Sequence, residues 1–120
     1  MNLFLTCEFH DQSSSTPSGK LLIVAILGIN PGHEDKIHEI LKIAKEDANS
    51  DKEPKTLTYR TGRSISPTGQ PQSEFVVIEE YADAKVGLME HAAGRGSVAL
   101  LKAREEGAFS SFNLNFYDEF

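Results

Sequence analysis

The chain has 120 residues, 39% of them hydrophobic and 25% charged, the make-up of one globular domain that folds on its own core and has no room for a second. Its 12 basic residues stand against 18 acidic ones, a net charge of -6 that opposes non-specific binding to phosphate backbones or anionic lipid. A single cysteine, Cys7, excludes an intrachain disulfide and a thiolate metal site; with no apolar run near the ~20 residues that cross a bilayer and no basic flank of a signal peptide at the start, a cytoplasmic protein is expected.

Residues 13 to 19 read Ser-Ser-Ser-Thr-Pro-Ser-Gly, a composition that buries too little apolar surface to offset the entropy of ordering it. We therefore expect a flexible N-terminal tail over 1-19 and a domain over 20-120. Leu3, Leu5 and Cys7 alternate, so the start is either a short added strand or part of that tail. From Leu21 to Ile29 nearly every residue is apolar and many are β-branched, which predicts a central strand covered on both faces. Asn30-Pro31-Gly32 breaks it. A helix follows, with Ile37, Ile40, Leu41, Ala44 and Ala48 at helical spacing and Glu34, Lys42 and Glu46 facing away. Pro54 lies beyond its end, and Thr56 to Thr61 alternates as a half-buried strand. Residues 63-73, rich in Ser, Gly and Pro, predict a long hairpin connection into a strand from Glu74 to Tyr81.

Asp83 is placed to cap a second helix that carries Ala84, Leu88, His91 and Ala92 on one face. Gly94-Arg95-Gly96 reads as a helix break, and a further helix from Ser97 to about Glu106 presents Val98 and Leu101 before Gly107 closes it. In the last strand, Ser110 to Asp118, Phe112, Leu114 and Phe116 point one way and Asn113, Asn115 and Tyr117 the other. The order βαββαβ specifies an α+β ferredoxin-like plait: a four-stranded antiparallel sheet with its helices on one face. The uncovered face would expose more apolar area than a monomer tolerates, so a homodimer packed sheet against sheet is expected.

Pro31-Gly32 opening the first helix, Glu53-Pro54 before Thr56-Leu57-Thr58-Tyr59, and Glu79-Glu80-Tyr81-Ala82-Asp83 leading to His91 together resemble the antibiotic biosynthesis monooxygenase family of dimeric α+β barrels, over roughly residues 21-116. The resemblance implies a pocket between sheet and helices. It also implies, as in several members, oxidation of polycyclic phenols or quinols by O2 without metal, haem or flavin. The haem-degrading branch of this plait is disfavoured, because Ala25 stands where that branch has asparagine and the chain has no tryptophan. Lys55 replaces the family's usual glycine after Glu-Pro.

Such chemistry needs a base to remove a phenolic proton and donors to hold the resulting charge. His91 is the expected base, kept neutral by an apolar helix face; alternatively it is a core histidine bonded to backbone. Tyr81, beside the same helix, and Tyr59 either orient a substrate hydroxyl or belong to an aromatic core. Leu88 and Phe75 complete the expected substrate-binding set. Parity puts Glu79 on the face of Phe75, Val77 and Tyr81, where it orients His91, acts as base itself, or pairs with a Lys or Arg at the dimer boundary. His33 and His38 lie five residues apart, about 140° around a helix, too far for a metal pair. No metal and no cofactor is expected; the partners are a small hydrophobic aromatic substrate, O2 and a second copy of the chain. Two other activities fit the same pocket: a non-catalytic binding or dimerisation module, and an isomerase, decarboxylase or cyclase working without O2.

Overall fold

The computed structural model describes residues 16-120; the alternating stretch from Leu3 to Cys7 and most of the tail expected over 1-19 lie outside them. Seven elements follow one another: β1 (Leu21–Ile29), α1 (Glu34–Ala48), β2 (Thr56–Ile65), β3 (Pro71–Tyr81), α2 (Ala84–Ala92), α3 (Arg95–Glu105) and β4 (Phe109–Asp118). The strands form one sheet in the order β2-β3-β1-β4, antiparallel throughout. This is the predicted α+β ferredoxin-like plait. Among the described residues no helix is long and apolar enough to cross a membrane.

The period-two pattern of β1 decides which side of the sheet the helices cover. Leu21, Ile23, Ala25, Leu27 and Ile29 are buried, while Leu22, Val24 and Ile26 on the other face are half-buried; within the chain, the helices cover one face of β1. The register aligns three rows on the helix side. Tyr59, Glu79, Ile23 and Phe116 form one, Thr61, Val77, Ala25 and Leu114 the next, and Arg63, Phe75, Leu27 and Phe112 the third. The apolar stripe of α1, with Ile37, Ile40, Leu41, Ala44 and Ala48 buried, packs in the same cluster as Ala25, Leu27, Phe75 and Val77. A smaller cluster of Leu21, Ile23, Tyr81, Ala84 and Leu88 anchors α2 at the end of the sheet where the site lies. Fully burying side chains such as Ile23 or Leu21 contributes about 1.5–3 kcal/mol each.

Two expectations need correction. The long 63-73 connection is short: β2 runs on to Ile65 and β3 begins at Pro71. The turn between them is closed by Ser66 N donating to Gln70 O at 2.9 Å and Gly69 N to Ser66 O at 2.8 Å. Polar residues there extend the ladder instead of ending it, with Arg63 Nε donating to Gln72 O and Ser64 Oγ to Gln72 Oε1, and proline is tolerated as the first residue of a strand. The second correction concerns α3, which starts at Arg95 and buries Gly96, Ser97 and Ala103, leaving Val98 55% exposed. Size chose this face. A Cβ on Gly96 would sit 2.4 Å from that of Ala44, so α3 approaches α1 through its smallest residues. The capping role of Asp83 is as expected: its side chain accepts from Val86 N at 3.1 Å.

Candidate active site

Three elements converge beneath the helical layer. His91, in the last turn of α2, is 7% exposed; Glu79, on the inward face of β3, is 6% exposed; Glu53, in the segment joining α1 to β2, is 3% exposed. Successive turns wind Glu53 inward, with Ser50 N donating to Asp47 O, Glu53 N to Ser50 O and Thr56 N to Glu53 O. Gly94 leaves it room, since a Cβ there would lie 3.2 Å from Glu53 Oε2.

His91 is held on both sides. Its Nδ1 is 2.9 Å from Glu53 Oε1, and a carboxylate only accepts, so Nδ1 carries the hydrogen of that bond. Its Nε2 is 3.6 Å from Glu79 Oε1, within ion-pair reach and beyond a direct hydrogen bond. Tyr81 donates to that same Glu79 oxygen at 2.5 Å. The Tyr59 ring lies 5.1 Å from the imidazole and the Tyr81 ring 6.3 Å, both tilted. Gly87 is what lets α2 settle on Tyr81, because a Cβ there would come within 2.5 Å of the ring.

Electrostatics reverse one expectation. Burial drives the His91 pKa down, but the Glu79 charge and the hydrogen bond and charge of Glu53 outweigh it, and the pKa is raised above the ordinary 6.5. The surroundings favour the imidazolium, not the neutral ring, because two carboxylates rather than an apolar face line its edges. Burial first, and the Glu79 charge second, push both Tyr59 and Tyr81 well above 10. Both phenols stay protonated at neutral pH, and Tyr81 donates its hydrogen to Glu79. Among the described residues of this chain, Glu79 faces His91 and Tyr81 and pairs with no Lys or Arg.

A pocket opens beside this cluster, lined by Tyr59, Glu79 and His91 on its polar side, by Ser97 and Leu100 of α3, and by the sheet residues between them. Its room is about 30 Å³, enough for two or three waters at roughly 10–15 Å³ each. An aromatic ring therefore enters only as lining side chains such as Leu100 and Phe112 move aside. Of the expected residues, His91 and Tyr59 border the pocket, and Tyr81 stands behind Glu79 with its hydroxyl committed there. Leu88 and Phe75 do not border it. Leu88 packs with Leu21, Ile23 and Tyr81, while Phe75 lies four residues along β3 from Glu79, about 13 Å away, under the Arg63 guanidinium at 5.3 Å. Glu53 was not anticipated as a site residue. Its one sequence signal was the Glu-Pro pair before β2.

No group of three His, Cys, Asp or Glu among the described residues is arranged to hold a metal. Glu53 and Glu79 stand at opposite ring nitrogens and do not converge on one point. His38 is exposed and reaches the Phe75 ring at 6.2 Å, and Asn115 donates to Val24 O at 3.2 Å, tying strand β4 to β1.

No family sequence model and no curated protein matches the chain. Solved structures do. A Caulobacter crescentus protein provisionally assigned to the antibiotic biosynthesis monooxygenases superposes with TM-score 0.69 at 19% identity, covering 86% of this chain and 92% of that one. A second, described as an antibiotic biosynthesis monooxygenase, gives TM-score 0.65 at 22% identity over 83% of this chain and 98% of that one. The chain has an antibiotic biosynthesis monooxygenase fold. A Nitrosomonas europaea protein of unknown function shares this fold too, with TM-score 0.65 and 25% identity over 84% of this chain and 89% of that one. The fold places pocket and helical layer as the resemblance implied, and it leaves the chemistry to the side chains.

Proposed function

We propose that the protein is a cytoplasmic, homodimeric monooxygenase that oxidises a hydrophobic aromatic, quinol or polyketide-like molecule by taking a proton from it and letting the resulting anion react with O2, with no cofactor of its own. The observation that carries this reading is the buried imidazole set between two carboxylates in the wall of a pocket. Burying several ionisable groups costs several kcal/mol, and proton transfer is a function that repays it. For an anthrone-type methylene the balance is complete. The cluster removes one proton from the hydroxyl of its enol form, and the electrons that the resulting anion shares with the former methylene carbon reduce O2. The peroxide formed at that carbon then loses water, so one oxygen atom becomes the new carbonyl and the other leaves as water.

The homodimer rests on the half-buried apolar stripe of Leu22, Val24, Ile26, Val76 and Ile78 on the uncovered sheet face. Sedimentation of the purified protein should give twice the chain mass. Oxygen uptake by metal-stripped protein with a panel of anthrones and quinols tests the activity: one O2 consumed per substrate, and at least a ~100-fold loss in His91→Ala, the usual scale for a lost acid-base group. Ligand binding without uptake would favour a binding module, and turnover that persists without O2 an isomerase, decarboxylase or cyclase.

A further inference from the structure

The two carboxylates around His91 are not equivalent. Glu53 takes the Nδ1 hydrogen bond at 2.9 Å and lies outside the pocket lining, whereas Glu79 lines the pocket and stands 3.6 Å from Nε2. Were the ring neutral with its hydrogen on Nδ1, the bare lone pair of Nε2 would face a carboxylate oxygen. That oxygen is already an acceptor, since the Tyr81 hydroxyl donates to it. Two acceptors would then confront each other in a buried site, and two negative charges would lie there without a cation. A hydrogen on Nε2 removes both conflicts.

We infer that Glu79 is the group that accepts the substrate's proton, and that His91 works as an imidazolium, fixed by Glu53 and donating from Nε2 to the oxyanion that forms. This assignment rests on the proposed proton-abstracting function and specifies its atoms. The 3.6 Å gap between Nε2 and Glu79 Oε1 suits one hydroxyl oxygen that donates to the carboxylate and accepts from the imidazolium. As the substrate O–H bond breaks, its hydrogen bonds to Glu79 and the electron pair stays on the substrate oxygen, opposite the Nε2 hydrogen. The net charge of cluster and substrate stays at one negative throughout, so no charge separates in a low-dielectric site. The raised His91 pKa agrees with this state. The titratable groups that face His91 are Glu53 from the α1–β2 segment, Glu79 and Tyr81 from β3 and Tyr59 from β2; α3 contributes Ser97 to the same pocket.

The chosen substrate is then a neutral molecule with a weakly acidic hydroxyl, a phenol or enol, and not a carboxylate or phosphate, which two buried carboxylates repel. The decisive measurement is 15N NMR of His91 in the wild-type chain at pH 7, which needs no substrate. Both ring nitrogens carrying hydrogen is the expected result; an Nε2 without hydrogen overturns the inference even if oxygenase activity is found. With a substrate in hand, kcat/KM should fall as pH rises through the His91 pKa, and Glu53→Gln should move that fall to lower pH. A rate that instead rises through this pKa makes His91 the base and overturns the assignment. Glu79→Gln should lower kcat about 10²–10⁴-fold while thermal shift still registers ligand binding, and near-normal kcat in that variant also overturns it. Should Glu79→Gln fail to fold, the NMR result and the Glu53→Gln profile decide. Absence of turnover on every substrate, with a protonated Nε2, would sink the oxygenase reading and leave the charge assignment standing.

Discussion

Two charge clusters lie a few residues apart in the chain and are built on opposite terms. In one, Asp47 at the end of α1, its side chain 4% exposed, meets two exposed cations. Arg95 grips it with Nε at 3.0 Å and a terminal nitrogen at 2.7 Å, and Lys52 adds a contact at 3.2 Å. Every charge there has an opposite, and water reaches the cations. In the other, His91, Glu53 and Glu79 are all buried and negative charges outnumber the cation. The first arrangement fastens α3 to α1. The second keeps an excess of one negative charge, and with it a carboxylate free to take up a proton.

Their opposite pH responses give the means to separate them. The largest effect expected is from Gly96→Ala, next to Arg95: the added methyl meets the Ala44 side chain at 2.4 Å and its Cα at 2.6 Å, so α3 must lift from α1. A loss of about 1–3 kcal/mol is expected from such overpacking, read by urea unfolding. Asp47→Asn comes next, at about 1 kcal/mol for an ion pair whose cations are exposed. Hydrogen bonds from Arg95, stronger than the burial that opposes them, hold the Asp47 pKa down from 3.8 to about 2. Its contribution is therefore complete above 3.8 and lost as pH falls towards 2. The advantage of wild type over Asp47→Asn should vanish across that interval.

His91 runs the other way. Its folded pKa is raised above 6.5, so the stability it adds is complete below 6.5 and declines as pH rises through the folded value. Wild type should lose more stability than His91→Gln between pH 6 and 9; equal slopes would show that the two carboxylates do not hold the ring charged. The smallest effect is expected from Gly94→Ala, whose Cβ would press on Glu53 Oε2 from 3.2 Å. The melting temperature should change little, whereas the His91 pKa, followed by NMR, should fall as the hydrogen bond from Nδ1 is strained.

The plait was readable from period and punctuation. A near-continuous apolar, β-branched run set β1, apolar alternation set β4, the stripe from Ile37 to Ala48 set α1, and Asp83 marked the start of α2. Side-chain parity also put Glu79 and Tyr81 on the inner face. What could not be read is what depends on distance along an element or on a loop's path. Phe75 shares a face with Glu79 yet lies two rows away, and Leu88 shares a face with His91 yet packs one turn nearer Tyr81. Glu53 sits in a polar turn segment that no periodicity describes, and with it the sign of the His91 shift was hidden. Val98 failed because hydrophobicity predicts a buried face only where packing distance allows it; Gly96 set that distance.

One contact at the margin of the sheet reaches further than its size. Ser18 donates from its backbone N and its hydroxyl to Asp118 Oδ1, at 2.9 and 2.7 Å, and Glu119 N donates to Lys20 O at 3.2 Å. The described chain thus enters and leaves the domain at one spot, forming an almost closed circuit whose break point topology does not dictate. A circularly permuted version, sewn shut here and reopened at the 66-70 turn, would keep every strand beside its present neighbours, and would carry any fused passenger to the far end of the β2–β3 arm.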